Sequence, residues 1–171
     1  MHTSNVWSLT LGALALALSC ASAPEVPRLA AVVNDFANVL TAHERETLER
    51  DLVQFGDASG FILVVATVNS FQPSPSLRAF AAELFKNHGR GIGDAKRNNG
   101  LLVALAVHDR EVWITPGLGI EKTVTDKVAA DVTQQMALEF RRGAYFQGLR
   151  GGVEALRRVV EAARNRQTGP S

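Results

Sequence analysis

Two stretches of the chain are apolar almost without interruption: Phe61-Ile62-Leu63-Val64-Val65-Ala66-Thr67-Val68 and Leu101-Leu102-Val103-Ala104-Leu105-Ala106-Val107. A strand with one wet face alternates apolar and polar residues, and these do not. The pattern therefore predicts strands covered on both sides, as at the centre of an α/β sheet. Between them Leu77, Phe80, Ala81, Leu84 and Phe85 recur at helical spacing, which predicts a helix, with Ser74 as its N-cap and Pro75 in its first turn. Strand, helix and strand in this order predict a right-handed parallel crossover.

The flanking segments add helices and a hairpin. Thr41-Ala42-His43-Glu44 has the form of a capping box, and Leu48, Leu52 and Phe55 follow on one stripe, with Gly56 as the expected stop. His108-Asp109-Arg110-Glu111 leads into Val112-Trp113-Ile114-Thr115, an antiparallel partner for the second strand. Thr125 caps a helix over 126–141, with Asp126 beside the positive end of its dipole. A further helix over 145–164 places Leu149, Val153, Leu156 and Val160 on one face. Two prolines make 24–31 an extended leader, and 165–171 is a polar tail. The expected architecture is a single α/β domain over 32–164, a three-layer α/β/α sandwich around a small mixed sheet.

The N-terminus has a different pattern. Val6 to Leu18 is an apolar run followed by small residues, Ser19-Cys20-Ala21-Ser22-Ala23. It is shorter than the roughly 20 residues of a membrane span and has the length of an export signal. Residues 1–23 are thus a signal, although no Lys or Arg precedes Pro24. Two kinds of processing remain open. Cys20 after Leu16-Ala17-Leu18-Ser19 resembles a lipobox and would be acylated; alternatively the chain is cut after Ala21 or Ala23. Either places the mature domain in the periplasm or envelope.

Composition narrows the chemistry. Eighteen Lys and Arg against 17 Asp and Glu give a net charge of +1, which removes the electrostatic case for a nucleic-acid binder. A single cysteine excludes an intramolecular disulfide framework and any CxxC site. His2, His43, His88 and His108 have no zinc-ligand spacing, and no G-x-S-x-G elbow supplies a nucleophile. Gly89-Arg90-Gly91-Ile92-Gly93 follows a helix instead of a strand, so it is no phosphate-binding loop; it reads as a connector or, alternatively, as a rim beside a site with Lys96 and Arg97 attracting anions.

Acidic loop residues are the better candidates, because hard cations such as Ca²⁺ or Mg²⁺ take oxygen ligands. Topology sorts them into two groups: Asp35 with Asp109 at one end of the strands, and Asn99 with Glu121 and Asp126 at the other, near Asn98. Each also has a structural alternative. Asn34-Asp35 suits an Asx-turn before the first helix, Asp109 a hairpin turn, and Asp126 a helix start.

Several segments together resemble the TPM domain family. They are Val33-Asn34-Asp35-Phe36-Ala37-Asn38-Val39-Leu40-Thr41, Asn98-Asn99-Gly100-Leu101-Leu102 and Asp109-Arg110-Glu111-Val112-Trp113-Ile114. Gly117-Leu118-Gly119-Ile120-Glu121 with Thr125-Asp126, and Phe140-Arg141-Arg142-Gly143-Ala144-Tyr145, complete the set. Their order and spacing agree over 32–162. The resemblance implies an α/β/α sandwich, an exported or membrane-facing protein, divalent-cation binding, and either acid phosphatase activity or an accessory role for membrane-protein complexes. Carried onto matching positions, it singles out Asp35, Asn99, Asp109, Arg110, Glu121 and Asp126. Many relatives continue into a transmembrane helix; here attachment is expected through the N-terminus. Two functions follow as expectations: an accessory binding module at the envelope with a Ca²⁺ site, or a metal-assisted phosphomonoesterase in which Arg110 contacts the phosphate.

Overall fold

The two apolar runs are the centre of a four-stranded sheet. In the computed structural model, which describes residues 26–168, β2 (Ile62–Val68) and β3 (Gly100–Ala106) lie parallel, in register from Ile62 opposite Gly100 to Val68 opposite Ala106. On the far side of β3 runs β4 (Glu111–Pro116), antiparallel, with Ala104 opposite Trp113. A short strand, β1 (Val33–Asp35), pairs parallel with β2 and makes the sheet order β1-β2-β3-β4. The sequence places Asn34-Asp35 in a loop. Three residues, two of them polar, carry no strand periodicity, and β1 exists because its backbone fits the open edge of β2.

Alternate residues of the central strands feed two cores, as the pleat requires. Leu63, Val65, Leu101, Val103 and Leu105 pack beneath three helices: α1 (Ala42–Ser59), α3 (Asp126–Phe140) and α4 (Tyr145–Thr168). Val64, Ala66, Val68, Leu102, Ala104 and Ala106 face α2 (Leu77–Lys86) through Leu77, Phe80, Ala81 and Leu84. The result is the expected single α/β domain with helices on both faces of a mixed sheet. Both faces of the central strands are covered from Leu63 and Gly100 onward, which is why these strands are apolar at nearly every position, the buried Thr67 being the exception.

Two helix ends depart from expectation for local reasons. α1 runs past Gly56 to Ser59 and stops at Gly60, whose left-handed backbone (φ +76°) forms the cap. Gly56 is where the chain entering β2 passes close; a Cβ there would sit 3.4 Å from the Phe61 carbonyl oxygen. α2 takes Ser76 as N-cap, its hydroxyl accepting from the Ala79 N–H, instead of Ser74. Pro75 lies before the cap, in the bend at 74–75. The capping box at α1 forms as expected: the Thr41 N–H donates to Glu44 at 2.8 Å, and the Glu44 N–H returns to the Thr41 hydroxyl. Thr41 holds the Glu44 carboxyl below its ordinary pKa, its backbone N–H first and then its hydroxyl. Among the described residues no helix is long and apolar enough to cross a membrane. The proposed signal and Cys20 lie outside the described residues.

Candidate functional site

Parallel strands bring their C-terminal ends to one edge of the sheet, the usual place for ligand sites in open α/β folds. The segments at that edge are 36–41 after β1, 69–76 after β2, the β3–β4 turn and the turn between α3 and α4. Asp35 and Asp109 both lie there. Asp35, the last residue of β1, points its carboxylate back into its own loop. One oxygen accepts from the Val39 N–H (3.2 Å) and from the Thr67 hydroxyl, and the other accepts from the Leu40 N–H (2.9 Å). Thr67 is fully buried and also receives the Ala37 N–H. Asp35 therefore fixes the chain between β1 and α1 by satisfying donors that no ladder or helix uses.

Asp109 accepts the Phe71 N–H at 2.9 Å. Phe71 belongs to the α2-side core, so this bond ties the β3–β4 turn to the segment leaving β2. Arg110, the next residue, has left-handed backbone (φ +58°), and its side chain lines a cavity on the three-helix side. The two neighbours thus serve opposite sides of the sheet. In the sheet order β2 stands between β1, which carries Asp35, and β3, which leads into the Asp109–Arg110 turn, and the two aspartates bond to different segments.

The other predicted group lies at the N-terminal edge, as the topology argument expects: Gly119 donates to the Asn98 carbonyl (3.0 Å) and Gly117 to the Gly100 carbonyl (2.8 Å). The buried Asn99 amide is engaged at both its oxygen and its nitrogen. Its oxygen accepts from the Asp94 N–H and its nitrogen donates to the Gly60 carbonyl, both at 2.7 Å. Asp94 in turn accepts the N–H groups of Lys96 (2.9 Å) and Arg97 (3.0 Å). The Arg97 bond first, then that of Lys96, lowers its pKa below the ordinary value of 3.8. Glu121 is an exposed turn residue. Asp126 lines a separate hollow of about 310 Å³ with Arg78 and Trp113, whose ring lies 5.6 Å beneath the Arg78 guanidinium.

The candidates thus lie at two edges of the sheet, Asp35 and Asp109 at one and Asn99, with the Gly117–Glu121 turn, at the other. Among the described residues no group of three or more His, Cys, Asp or Glu side chains is placed to hold a metal ion. Asp35 and Asp109, at the loop bases, are each engaged by backbone N–H groups.

The TPM domain matches residues 33–159. The chain belongs to the TPM domain family. Among solved structures, it is similar to the N-terminal domain of a Porphyromonas gingivalis protein, at 29% identity over 77% of this chain and 83% of that one, with a TM-score of 0.68. A protein from the psychrophile Bizionia argentinensis shares 22% identity over 72% and 82%, with a TM-score of 0.61. The N-terminal domain of a Corynebacterium glutamicum protein shares 16% over 85% and 92%, at 0.58. The latter two show the fold alone. No curated protein matches the chain.

Thr67, Asp94 and the cavity beside Arg110 have no place among the sequence candidates. Arg141 and Tyr145 line that cavity too, and they stand in the Phe140–Tyr145 segment of the TPM pattern. Their family motif was the available signal, but nothing in the spacing joins it to Arg110.

Proposed function

We propose that this TPM domain is an exported, non-catalytic binding module that works at the cell envelope as an accessory or quality-control factor for a membrane-protein complex. Its contact surface is the rim of loops at the C-terminal ends of β1, β2 and β3. The observation that carries this reading is the anchoring of Asp35 by two backbone N–H groups and the Thr67 hydroxyl. It makes the loop after β1 a braced support, from which Phe36 projects with 38% of its surface exposed. A phosphomonoesterase needs its metal-binding carboxylates and its phosphate-binding arginine around one point. Asp109 and Arg110 serve opposite sides of the sheet, which favours binding over hydrolysis. Export rests on the apolar run Val6–Leu18 and its small-residue sequel.

Site-specific photocrosslinking of the full chain in its own cells tests the surface. A crosslinker replacing Phe36 or His108 is expected to give one discrete membrane-protein adduct, and one replacing Leu118, at the opposite edge, none. Equal yields from all three positions would contradict the assignment. Mass spectrometry of the mature N-terminus tests export: acylated Cys20, or a start after Ala21 or Ala23, is expected, and retention of residues 1–23 would contradict it.

A further inference from the structure

Between the β3–β4 turn and the α3–α4 turn lies a cavity of about 560 Å³, lined by Leu105, Val107, Arg110, Phe140, Arg141 and Tyr145, with Ala137 and Gly143. Its size is that of a site for one small molecule. Two arginines line it, and no acidic residue does. Of the nearby acids, Asp109 accepts the Phe71 N–H and Glu139 pairs with Arg142 at 3.5 Å, while Glu111 begins β4 outside the cavity lining. Arg110 and Arg141 form no ion pair among the described residues. Arg141 follows α3 and complements the negative end of its dipole, a role that leaves most of its five donors free.

The backbone of Arg110 adds a second observation. Left-handed conformation disfavours every residue with a Cβ, and glycine would close this turn more easily. An arginine here gives the turn nothing that glycine lacks, whereas its side chain gives the cavity a cation. The remaining lining is apolar: Leu105 is buried, and the Phe140 and Tyr145 rings lie 5.9 Å apart. Arg110 and Arg141 are themselves exposed, so the anion is drawn by their guanidinium forks, which suit carboxylate and phosphate oxygens alike.

We infer that this cavity binds a small organic anion, a carboxylate or phosphate head on an aliphatic or aromatic body, and holds it unchanged. The head sits between Arg110 and Arg141, and the body lies on Leu105, Val107, Phe140 and Tyr145. Tyr145 is the one lining side chain of a type that acts as base or nucleophile, and no Asp, Glu or His lines the cavity to take its proton, so a bound ester stays intact. The inference does not depend on the envelope partner.

Calorimetric titration of the full chain with phenylphosphonate, benzoate, inorganic phosphate and benzyl alcohol tests it. Phenylphosphonate or benzoate is expected to bind one-to-one with Kd of about 1 mM or tighter. Inorganic phosphate, lacking the body, and benzyl alcohol, lacking the charge, are expected at least tenfold weaker. Arg110→Gly and Arg141→Gln should each weaken the organic anion about tenfold without lowering the melting temperature. Two outcomes would overturn the inference: no saturable binding of either organic anion, or affinity indifferent to both substitutions. Release of phenol from phenyl phosphate that Arg110→Gly abolishes would overturn the claim that the ligand is held unchanged.

Discussion

The two edges of the sheet are built from similar residue types and differ in what those residues leave free. At the N-terminal edge, backbone packs directly on backbone. Gly100 lies against the Ile92 carbonyl and Gly119 against the carbonyls of Arg97 and Asn98, with no room for a Cβ at either. The polar side chains there, Asn99 and Asp94, are turned into the loop and hold it. The C-terminal edge also has its anchors, Asp35 and Asp109. It differs in presenting an outer layer, with Phe36 exposed and Arg110 and Arg141 facing a cavity without acidic partners. The lesson is that a carboxylate on a loop is as often a clamp for stray N–H groups as a ligand, and that the unengaged groups beside it mark the working edge.

The sharpest way to break this contrast is to crowd the N-terminal edge. Gly100→Ala or Gly119→Ala drives a methyl group into a carbonyl oxygen on backbone that cannot retreat, and should cost about 3 kcal/mol in urea unfolding. A cost near zero would mean that this edge is looser than described. Asp35→Ala tests the anchor of the other edge. It leaves the buried Thr67 hydroxyl and the Leu40 N–H without their acceptor, and should cost about 2 kcal/mol by the same measurement. Arg110→Gly belongs to the outer layer and should leave stability unchanged or raise it by up to about 1 kcal/mol, because it relieves a left-handed arginine.

The smallest expected effect is on acid stability. Hydrogen bonds to the ionised form lower the folded pKa of Asp94 below its ordinary value of 3.8, so its contribution is complete above about that pH and fades as pH falls through the lower folded value. Melting temperature followed downward from pH 5 should therefore drop less steeply below pH 4 in Asp94→Asn than in the native chain. Parallel profiles would mean that Asp94 is no clamp.

Much of the fold was legible because it follows from patterns with one physical cause. Unbroken apolar runs require cover on both faces, the Leu77–Phe85 spacing requires a helix, and Thr41 with Glu44 forms a capping box in any context. The strand at Val33–Asp35 was not legible, since its pairing depends on an edge that exists only after β2 and β3 have met. Chain direction alone sorted Asp35 and Asp109 to one edge, and Asn99 and Glu121 to the other. Whether each side chain then faces outward or toward its own backbone depends on which N–H groups the turns leave unpaired, and residue type and spacing do not record that. The cavity was hidden for a similar reason: Arg110 and Arg141 are far apart in the chain and meet only because α3 returns along the sheet to the same edge.

The most direct test of the central claim is hydrolysis of 4-nitrophenyl phosphate by the purified full chain in Ca²⁺ or Mg²⁺. If Asp35 and Asp109 serve as clamps, no turnover sensitive to a chelator will appear, and Asp35→Asn and Asp109→Asn will match the native chain. Turnover that chelator removes and that either substitution abolishes would contradict the account and make the same edge a catalytic one.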